Sequence, residues 1–269
     1  MEKKENFMNW DNPGTAVITG ASAGIGKEFA YQLAKQGFKI ILVARREQKL
    51  CEIVEDLKNK FGGEHSFIIA DLSDIDENKK LADYIKKKIE NLDILILNAG
   101  YGVWNTFFNT DLMDLIDMTN LMFTGPMICC YSTIPNMIKR KRGVIINTSS
   151  TSATNKSSGA IYTAIKTALT VLSELLQDLV KGTGVKIQAL CPGYTYSEFH
   201  DLEKITRSGF QRSWFPKEAW MEASDVVKYS LSEVKNIPVM VVPGEFNVSN
   251  AKKLRKTKID DYLNLKILY

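Results

Sequence analysis

The amino-acid sequence predicts an α/β fold, a doubly wound parallel β-sheet of about seven strands with helices on both faces. Two observations predict it. Short apolar, β-branched runs recur along the chain, and the stretches between them carry apolar residues at helical spacing. Such runs suit strands buried on both faces of a parallel sheet, and strand–helix alternation implies right-handed crossovers. No repeat, low-complexity tract or Pro/Gly/Ser-rich linker interrupts the alternation. One domain over residues 1–269 is therefore expected, with its core at about 15–248.

The strand-like runs are Thr15–Thr19, Lys39–Val43, Ser66–Ala70, Asp93–Leu97, Val144–Thr148, Val185–Leu190 and Pro238–Val242. Between them, Lys27–Gln36 places Phe29, Ala30, Leu33 and Ala34 on one helical face, and Glu47–Lys60, Asp76–Asn91, Asp111–Ile138 and Ile161–Lys181 are similar. Two segments break this rhythm. Gly193–Met221 is long, poorly periodic and rich in aromatics (Phe199, Phe210, Trp214, Phe215, Trp220), as expected of a substrate lid. Ser224 is the expected N-cap of a helix over Asp225–Ser232. The second segment, 249–269, is a tail with five basic residues between Lys252 and Lys258, which reads as a solvated terminus.

Composition narrows the function. The content, 45% hydrophobic and 25% charged, is that of an ordinary globular protein, and a net charge of +4 is too small to argue for nucleic-acid or membrane binding. Cys51, Cys129, Cys130 and Cys191 form no C-x-x-C pair, so reduced thiols are expected. His65 and His200 lie far apart and no HExxH occurs, so no catalytic metal is expected. The N-terminus is polar, without an apolar signal-like core, and no apolar run approaches the ~20 residues that span a bilayer. A cytoplasmic location is the resulting expectation.

The most informative segment follows the first strand. Thr19-Gly20-Ala21-Ser22-Ala23-Gly24-Ile25-Gly26 joins that strand to the first helix. Glycines there let the backbone turn sharply and approach a pyrophosphate, while the helix N-terminus offers free N–H groups and a positive dipole end. Gly20, Ser22, Gly24, Ile25 and Gly26 are thus candidate dinucleotide contacts in a Rossmann-type fold. In such folds an acid about 20 residues beyond the loop holds the ribose 2′-hydroxyl. Here the second strand ends Val43-Ala44-Arg45-Arg46. Ala44 occupies the acid's place, and the Arg45 guanidinium can clamp a 2′-phosphate, which favours NADP(H) over NAD. Two solvated arginines at a helix start are the alternative.

Taken together, these motifs resemble the short-chain dehydrogenase/reductase family, in its compact single-domain branch, over about Thr15 to Val248. TGASAGIG is close to the family's TGxxxGxG loop. Asp71-Leu72 resembles the pair that flanks the adenine ring. Asn98-Ala99-Gly100 is similar to the family's NNAG, with Leu97 replacing its first Asn. Tyr162-Thr163-Ala164-Ile165-Lys166 matches YxxxK, with Ile165 where Ser or Ala is usual. Cys191-Pro192-Gly193 resembles the turn after the sixth strand. The resemblance implies that Pro192, Gly193, Thr195 and Ser197 border the cofactor, Thr195 and Ser197 at the nicotinamide carboxamide. CPGYTYSEFH is also similar to a DltE-like bacterial subgroup. Asn120 matches the family's helix asparagine, whose backbone carbonyl holds a water leading to the lysine; Asn is otherwise a poor choice inside an apolar helix. The resemblance further implies a homodimer or homotetramer formed through the helices of Asp111–Ile138 and Ile161–Lys181.

The residues support the matching chemistry. Tyr162 and Lys166 are four apart in a helical segment and share a face. A free phenol titrates near ~10, and a neighbouring ammonium lowers that value toward useful general acid–base range. In the family the lysine also binds the nicotinamide ribose. A third member, a serine, should polarise the substrate oxygen. Seven residues after Gly143 lies Ser150, whereas the family's thirteen-residue spacing to the tyrosine selects Ser149. Successive strand side chains face opposite ways, so only one can serve; Ser150 is favoured, because a loop deletion is easier than a register slip in a buried strand.

Asn120, Ser150, Tyr162 and Lys166 thus form the candidate catalytic set. Tyr101, Trp104, Phe107, Trp214, Phe215 and Trp220 are candidate pocket residues for a substrate with an apolar portion. The expected activity is hydride transfer between NADP(H) and a carbonyl or secondary alcohol; a catalytically silent NADP-binding regulator is the alternative. Steroid, 3-oxoacyl, small-aldehyde and sugar-ketone substrates all remain open.

Overall fold

The computed structural model describes residues 7–102, 107–154, 159–201, 211–236 and 239–253. Its strands are β1 Thr15–Thr19, β2 Lys39–Ala44, β3 Ser66–Ile69, β4 Leu92–Leu97, β5 Gly143–Thr148, β6 Val185–Leu190, a separate pair β7 Tyr194–Tyr196 and β8 Trp220–Glu222, and β9 Met240–Val241. Seven of them form one sheet in the order β3-β2-β1-β4-β5-β6-β9, every neighbouring pair parallel. The order turns back on itself between β1 and β4, where doubly wound sheets open a crevice beyond the carboxyl ends of the strands.

The helices are α1 Gly24–Lys35, α2 Glu47–Phe61, α3 Ile75–Lys88, α4 Leu112–Thr119, α5 Gly125–Arg140, α6 Ala160–Leu179 and α7 Ala223–Glu233. Strand parity sorts the core into two layers. Ala16 and Ile18 of β1 face Phe29, Leu33, Leu50, Leu57 and Val227 from α1, α2 and α7. Val17 between them faces Leu81, Ile85, Cys129, Ile134 and Met137 from α3 and α5. Burial on both faces explains why the strands read as continuous apolar runs rather than alternating ones.

Two boundaries differ from the sequence reading. Asp111–Ile138 is not one uniform helix, because a π turn at Asn120–Thr124 separates α4 from α5. Pro126 explains it: a ring without an N–H cannot continue the i→i−4 ladder, and the Gly125 N–H reaches back to the Asn120 carbonyl instead. The helix expected to start from Ser224 begins from Glu222, whose backbone is already fixed by pairing with Tyr196 across β7 and β8. That same pairing ties together the two ends of the aromatic segment at Gly193–Met221. Pro238, the expected start of the last strand, and Phe210 lie outside the described residues, as does the tail beyond 253.

At the amino ends of the strands, buried Asp93 is met by Arg140 (Nη1 to Oδ1, 3.0 Å) and by both Nε and Nη2 of Arg142. It also accepts the Gly14 N–H at 2.7 Å, and the Arg142 guanidinium stacks 4.3 Å over the Trp10 ring.

Candidate active site

A cleft of about 640 Å³ lies over the carboxyl ends of the strands at the turning point between β1 and β4. Its floor at one end is the glycine loop. Gly20 (φ +64°) and Gly24 (φ +53°) hold left-handed backbone that glycine favours. A Cβ at Gly20 would sit 2.8 Å from the Ala99 Cα, so the loop can pass there only without a side chain. Gly26 is not on the cleft wall; it packs α1 against the Gly20 carbonyl from behind. No side chain caps α1 at Ala23, and Ala23, Gly24 and Ile25 all border the cleft. An uncapped helix start opening on a cleft offers free N–H groups and a positive dipole end to an anion.

Asn98 and Ala99 shape this loop. The Thr19 hydroxyl accepts from the Asn98 and Ala99 N–H groups at 2.9 and 3.1 Å, and the Asn98 amide donates to the Thr19 carbonyl at 3.2 Å. Thr19 is therefore a functional residue missed in the sequence reading, although it stands first in the glycine motif. Beside the ends of β2 and β3, Arg45 reaches Asp71 at 3.4 Å, and both side chains are exposed at the cleft. Burial pushes the Asp71 carboxyl up, but hydrogen bonds from Ser73 and the Arg45 charge outweigh it and hold the group below its ordinary range. Leu72 and Gly100 complete the wall.

At the other end, β5 delivers Thr148, Ser149 and Ser150. Parity separates the two serines. Ser149 turns into α6, its hydroxyl bonded to the Lys166 carbonyl (2.8 Å) and to the Thr170 hydroxyl (2.7 Å). Ser150 turns the other way, its hydroxyl accepting the Ser152 N–H and donating to the Ser152 hydroxyl, each at 3.1 Å, and it borders the cleft together with Tyr162. Lys166 is only 4% exposed; its Nζ lies 5.5 Å from the Tyr162 ring centroid and donates to the Thr148 carbonyl at 2.7 Å. Pro192, Gly193, Thr195 and Ser197 line the wall that follows β6, and Ser197 comes up against the glycine loop at Gly24.

Burial dominates the electrostatics. It pushes the Tyr162 phenol up to about 12 and the Lys166 ammonium down to about 8. Desolvation thus governs the phenol, and the lowering that acts against it comes from Ser150 and not, as expected, from the ammonium. Tyr162 is held as a protonated donor, and Lys166 remains mostly charged at neutral pH. Asn120 does not border the cleft. Its carbonyl accepts the Gly125 N–H inside the π turn, which packs on α6 through Met118, Met122 and Ile165.

The aromatic wall differs from expectation. Tyr101 and Phe215 border the cleft, but Phe107, Trp214 and Trp220 do not, and Trp104 lies outside the described residues. Phe107 stands outward against Phe108, Trp214 is half exposed, and Trp220 backs Tyr194 at 5.2 Å between ring centroids. Their places are taken by Tyr194, which stacks 4.0 Å from Phe215, by Phe199, 6.4 Å from the Tyr162 ring, and by His200 and Phe246. Burial pulls the His200 imidazole down to about 4, so it is neutral at pH 7. Among the described residues no three His, Cys, Asp or Glu side chains gather to hold a metal, and no helix is long and apolar enough to cross a membrane.

These features coincide with one family. Residues 14–206 match the model for short chain dehydrogenases. The chain is 30% identical over 204 residues to a very-long-chain 3-oxoacyl-CoA reductase of Anas platyrhynchos, a match covering 73% of this chain and 64% of the relative. It is 30% identical over 227 residues to an uncharacterized oxidoreductase of Staphylococcus saprophyticus, covering 83% and 93%. Among solved structures, a short-chain dehydrogenase from Sphingobium yanoikuyae in complex with NADPH superposes with a TM-score of 0.81 at 22% identity, covering 96% of this chain and 98% of that one. One from Burkholderia phymatum in complex with NAD does so with a TM-score of 0.79 at 22% identity and the same coverage. The chain belongs to the short-chain dehydrogenase family. It spans 64% and 58% of the length of the first two curated relatives it matches.

Proposed function

We propose that the protein is an NADPH-dependent oxidoreductase that reduces a carbonyl group to a secondary alcohol, with the reverse oxidation available. The observation that carries this reading is the convergence of Ser150, Tyr162 and Lys166 on a cleft whose other end is a glycine cradle.

The residues fit a dinucleotide. The loop admits no Cβ at Gly20, α1 opens uncapped on the cleft, and Arg45 stands at the adenosine end with no acid at Ala44. Gly24, Ile25 and Ser22 would hold the pyrophosphate, Arg45 the 2′-phosphate, Asp71 and Leu72 the adenine, and Thr195 and Ser197 the carboxamide. NADPH, when bound, supplies the hydride. The chain's own work is on the proton and the charge. Ser150 donates a hydrogen bond to the substrate carbonyl. Tyr162, kept protonated by burial, passes its proton to that oxygen as negative charge develops there. Lys166, charged at neutral pH, binds the ribose hydroxyls and stands beside the phenol as it loses its proton. Asn120 would lead water toward Lys166 from behind. The wall of Tyr194, Phe199 and Phe215 supports a substrate with an apolar portion, and Tyr131, Leu175 and Leu179, exposed on α5 and α6, support a homodimer or homotetramer.

The test is NADPH consumption with a panel of ketones and aldehydes carrying apolar groups. Turnover with at least one carbonyl is expected. Tight NADPH binding without turnover across the panel would contradict the reading and favour a silent NADP-binding regulator.

A further inference from the structure

The segment that follows β7 crosses the cleft and is fastened on the far side. Ser197 lies against the glycine loop, so closely that a Cβ at Gly24 would come 2.9 Å from its own. The next residue, Glu198, presents one carboxylate oxygen to Arg46 and the other to Lys49, both at 2.6 Å, the two cations standing at the start of α2. Arg46 in turn holds the Ser22 hydroxyl of the glycine loop through Nε (3.1 Å) and Nη2 (2.7 Å). Glu198, Arg46, Ser22 and Ser197 all border the cleft. A continuous strap therefore runs over the glycine loop, from the end of β7 through Ser197 and Glu198 to the start of α2.

We propose that Glu198 is a positioning residue that latches the short segment Ser197–Asp201 over the bound dinucleotide, and that opening this latch governs cofactor release. The inference rests on the NADPH-binding reading above and goes beyond it. Three features argue for a latch rather than a fixed brace. Each member is nearly half exposed, 47% for Glu198, 45% for Arg46 and 43% for Lys49, so the pairs are weak singly and sensitive to salt. The carboxylate is shared by two cations on a different element, about 150 residues away in sequence, so it joins bodies that nothing local would join. The β7 end of the segment is held independently, by the pairing of β7 with β8 and by Arg212, which donates to the Ser197 carbonyl at 3.1 Å, so breaking the Glu198 contacts frees one side only.

The experiment is stopped-flow displacement of NADPH by excess NADP⁺, read by nucleotide fluorescence, in the wild type, Glu198→Gln, Glu198→Asp, Lys49→Met and the Glu198→Gln/Lys49→Met double variant. Glu198→Gln should speed release by about five- to tenfold at low salt, the order expected of two exposed ion pairs. Release should quicken with salt more steeply in the wild type than in Glu198→Gln, where only the phosphate contacts remain to be screened. Glu198→Asp should recover part of the slow rate. Lys49→Met should lie between, and the double variant should add little to Glu198→Gln. Unchanged release in Glu198→Gln would overturn the latch. So would slower release confined to NADPH and absent with NADH, since the carboxylate would then be competing with the 2′-phosphate for the cations. Failure of the wild type to bind either dinucleotide would instead overturn the cofactor reading, and the latch with it.

Discussion

The two ends of the sheet bury charge in opposite ways. At the amino ends, Asp93 is fully buried and met by two guanidiniums and a backbone N–H. At the carboxyl ends, Lys166 is almost as deeply buried, and its ammonium donates to the neutral Thr148 carbonyl. The first arrangement satisfies its charge and fixes the N-terminal segment to β4 and β5. The second leaves desolvation uncompensated, which is why Lys166 falls to about 8 while burial lifts Tyr162 beside it. One end is built to be stable; the other holds titratable groups away from their ordinary values, as functional sites do.

The sharpest way to break this contrast is at the serines. Ser150→Ala should lower kcat by about 10²–10³-fold, the loss seen when one donor to a developing oxyanion is removed, with little change in NADPH affinity. Ser149→Ala should be mild, because that hydroxyl faces α6. Steady-state kinetics of both variants decide; the reverse ranking would place the wrong serine at the substrate.

A smaller effect is expected at the adenosine end. Arg45→Ala should reduce the preference for NADPH over NADH by about 10–100-fold, the order of one or two charge-assisted hydrogen bonds. Dissociation constants for both nucleotides measure it, and an intact preference would move the phosphate contact elsewhere, Arg46 being the neighbour in place.

The smallest effect concerns stability. Lys166 titrates near 8 when folded, below its ordinary 10.5, so the unfolded chain binds more protons between those values. Burying the charge therefore costs stability below the folded value, at most about 3 kcal/mol at neutral pH, and the cost fades as pH rises toward the unfolded value. Lys166→Met should change Tm little at pH 7, because the lost charge-assisted Thr148 hydrogen bond, worth about 1.5–3 kcal/mol, offsets most of the relieved desolvation, and the variant should fall further below the wild type as pH rises toward the unfolded value. Thermal melts across that range test it. An equal removal at the other end, Asp93→Asn, should lower Tm instead, since it leaves two guanidiniums without their carboxylate.

How far the sequence could be read follows from the same physics. The glycine loop, the arginine after β2 and the Tyr162–Lys166 pair were legible, because local spacing alone puts those groups on a turn, a strand end and one helix face. The choice of Ser150 over Ser149 rested on a loop deletion being easier than a register slip in a buried strand, and in the fold the two hydroxyls face different neighbours, that of Ser149 turning into α6. The pocket wall was less legible: Trp220 and Phe215 differ in sequence only by position in an aperiodic segment, and the β7–β8 pairing decides which of them faces the cleft. The Pro126 that opens the π turn was visible but its effect depends on the helix around it. The Glu198 contacts with Arg46 and Lys49 were not legible at all, because nothing local marks a carboxylate for cations so distant along the chain.

The central claim is that Tyr162 supplies the proton while NADPH supplies the hydride to one carbonyl carbon. Its most direct test uses NADPH deuterated at the transferring position with a turned-over ketone, comparing the wild type with Tyr162→Phe. The account predicts deuterium at the carbinol carbon in the wild type. In Tyr162→Phe it predicts the same transfer slowed by about 10²–10⁴-fold, with NADPH binding unchanged. Product without deuterium, or a Tyr162→Phe protein that transfers it at the wild-type rate, would contradict it.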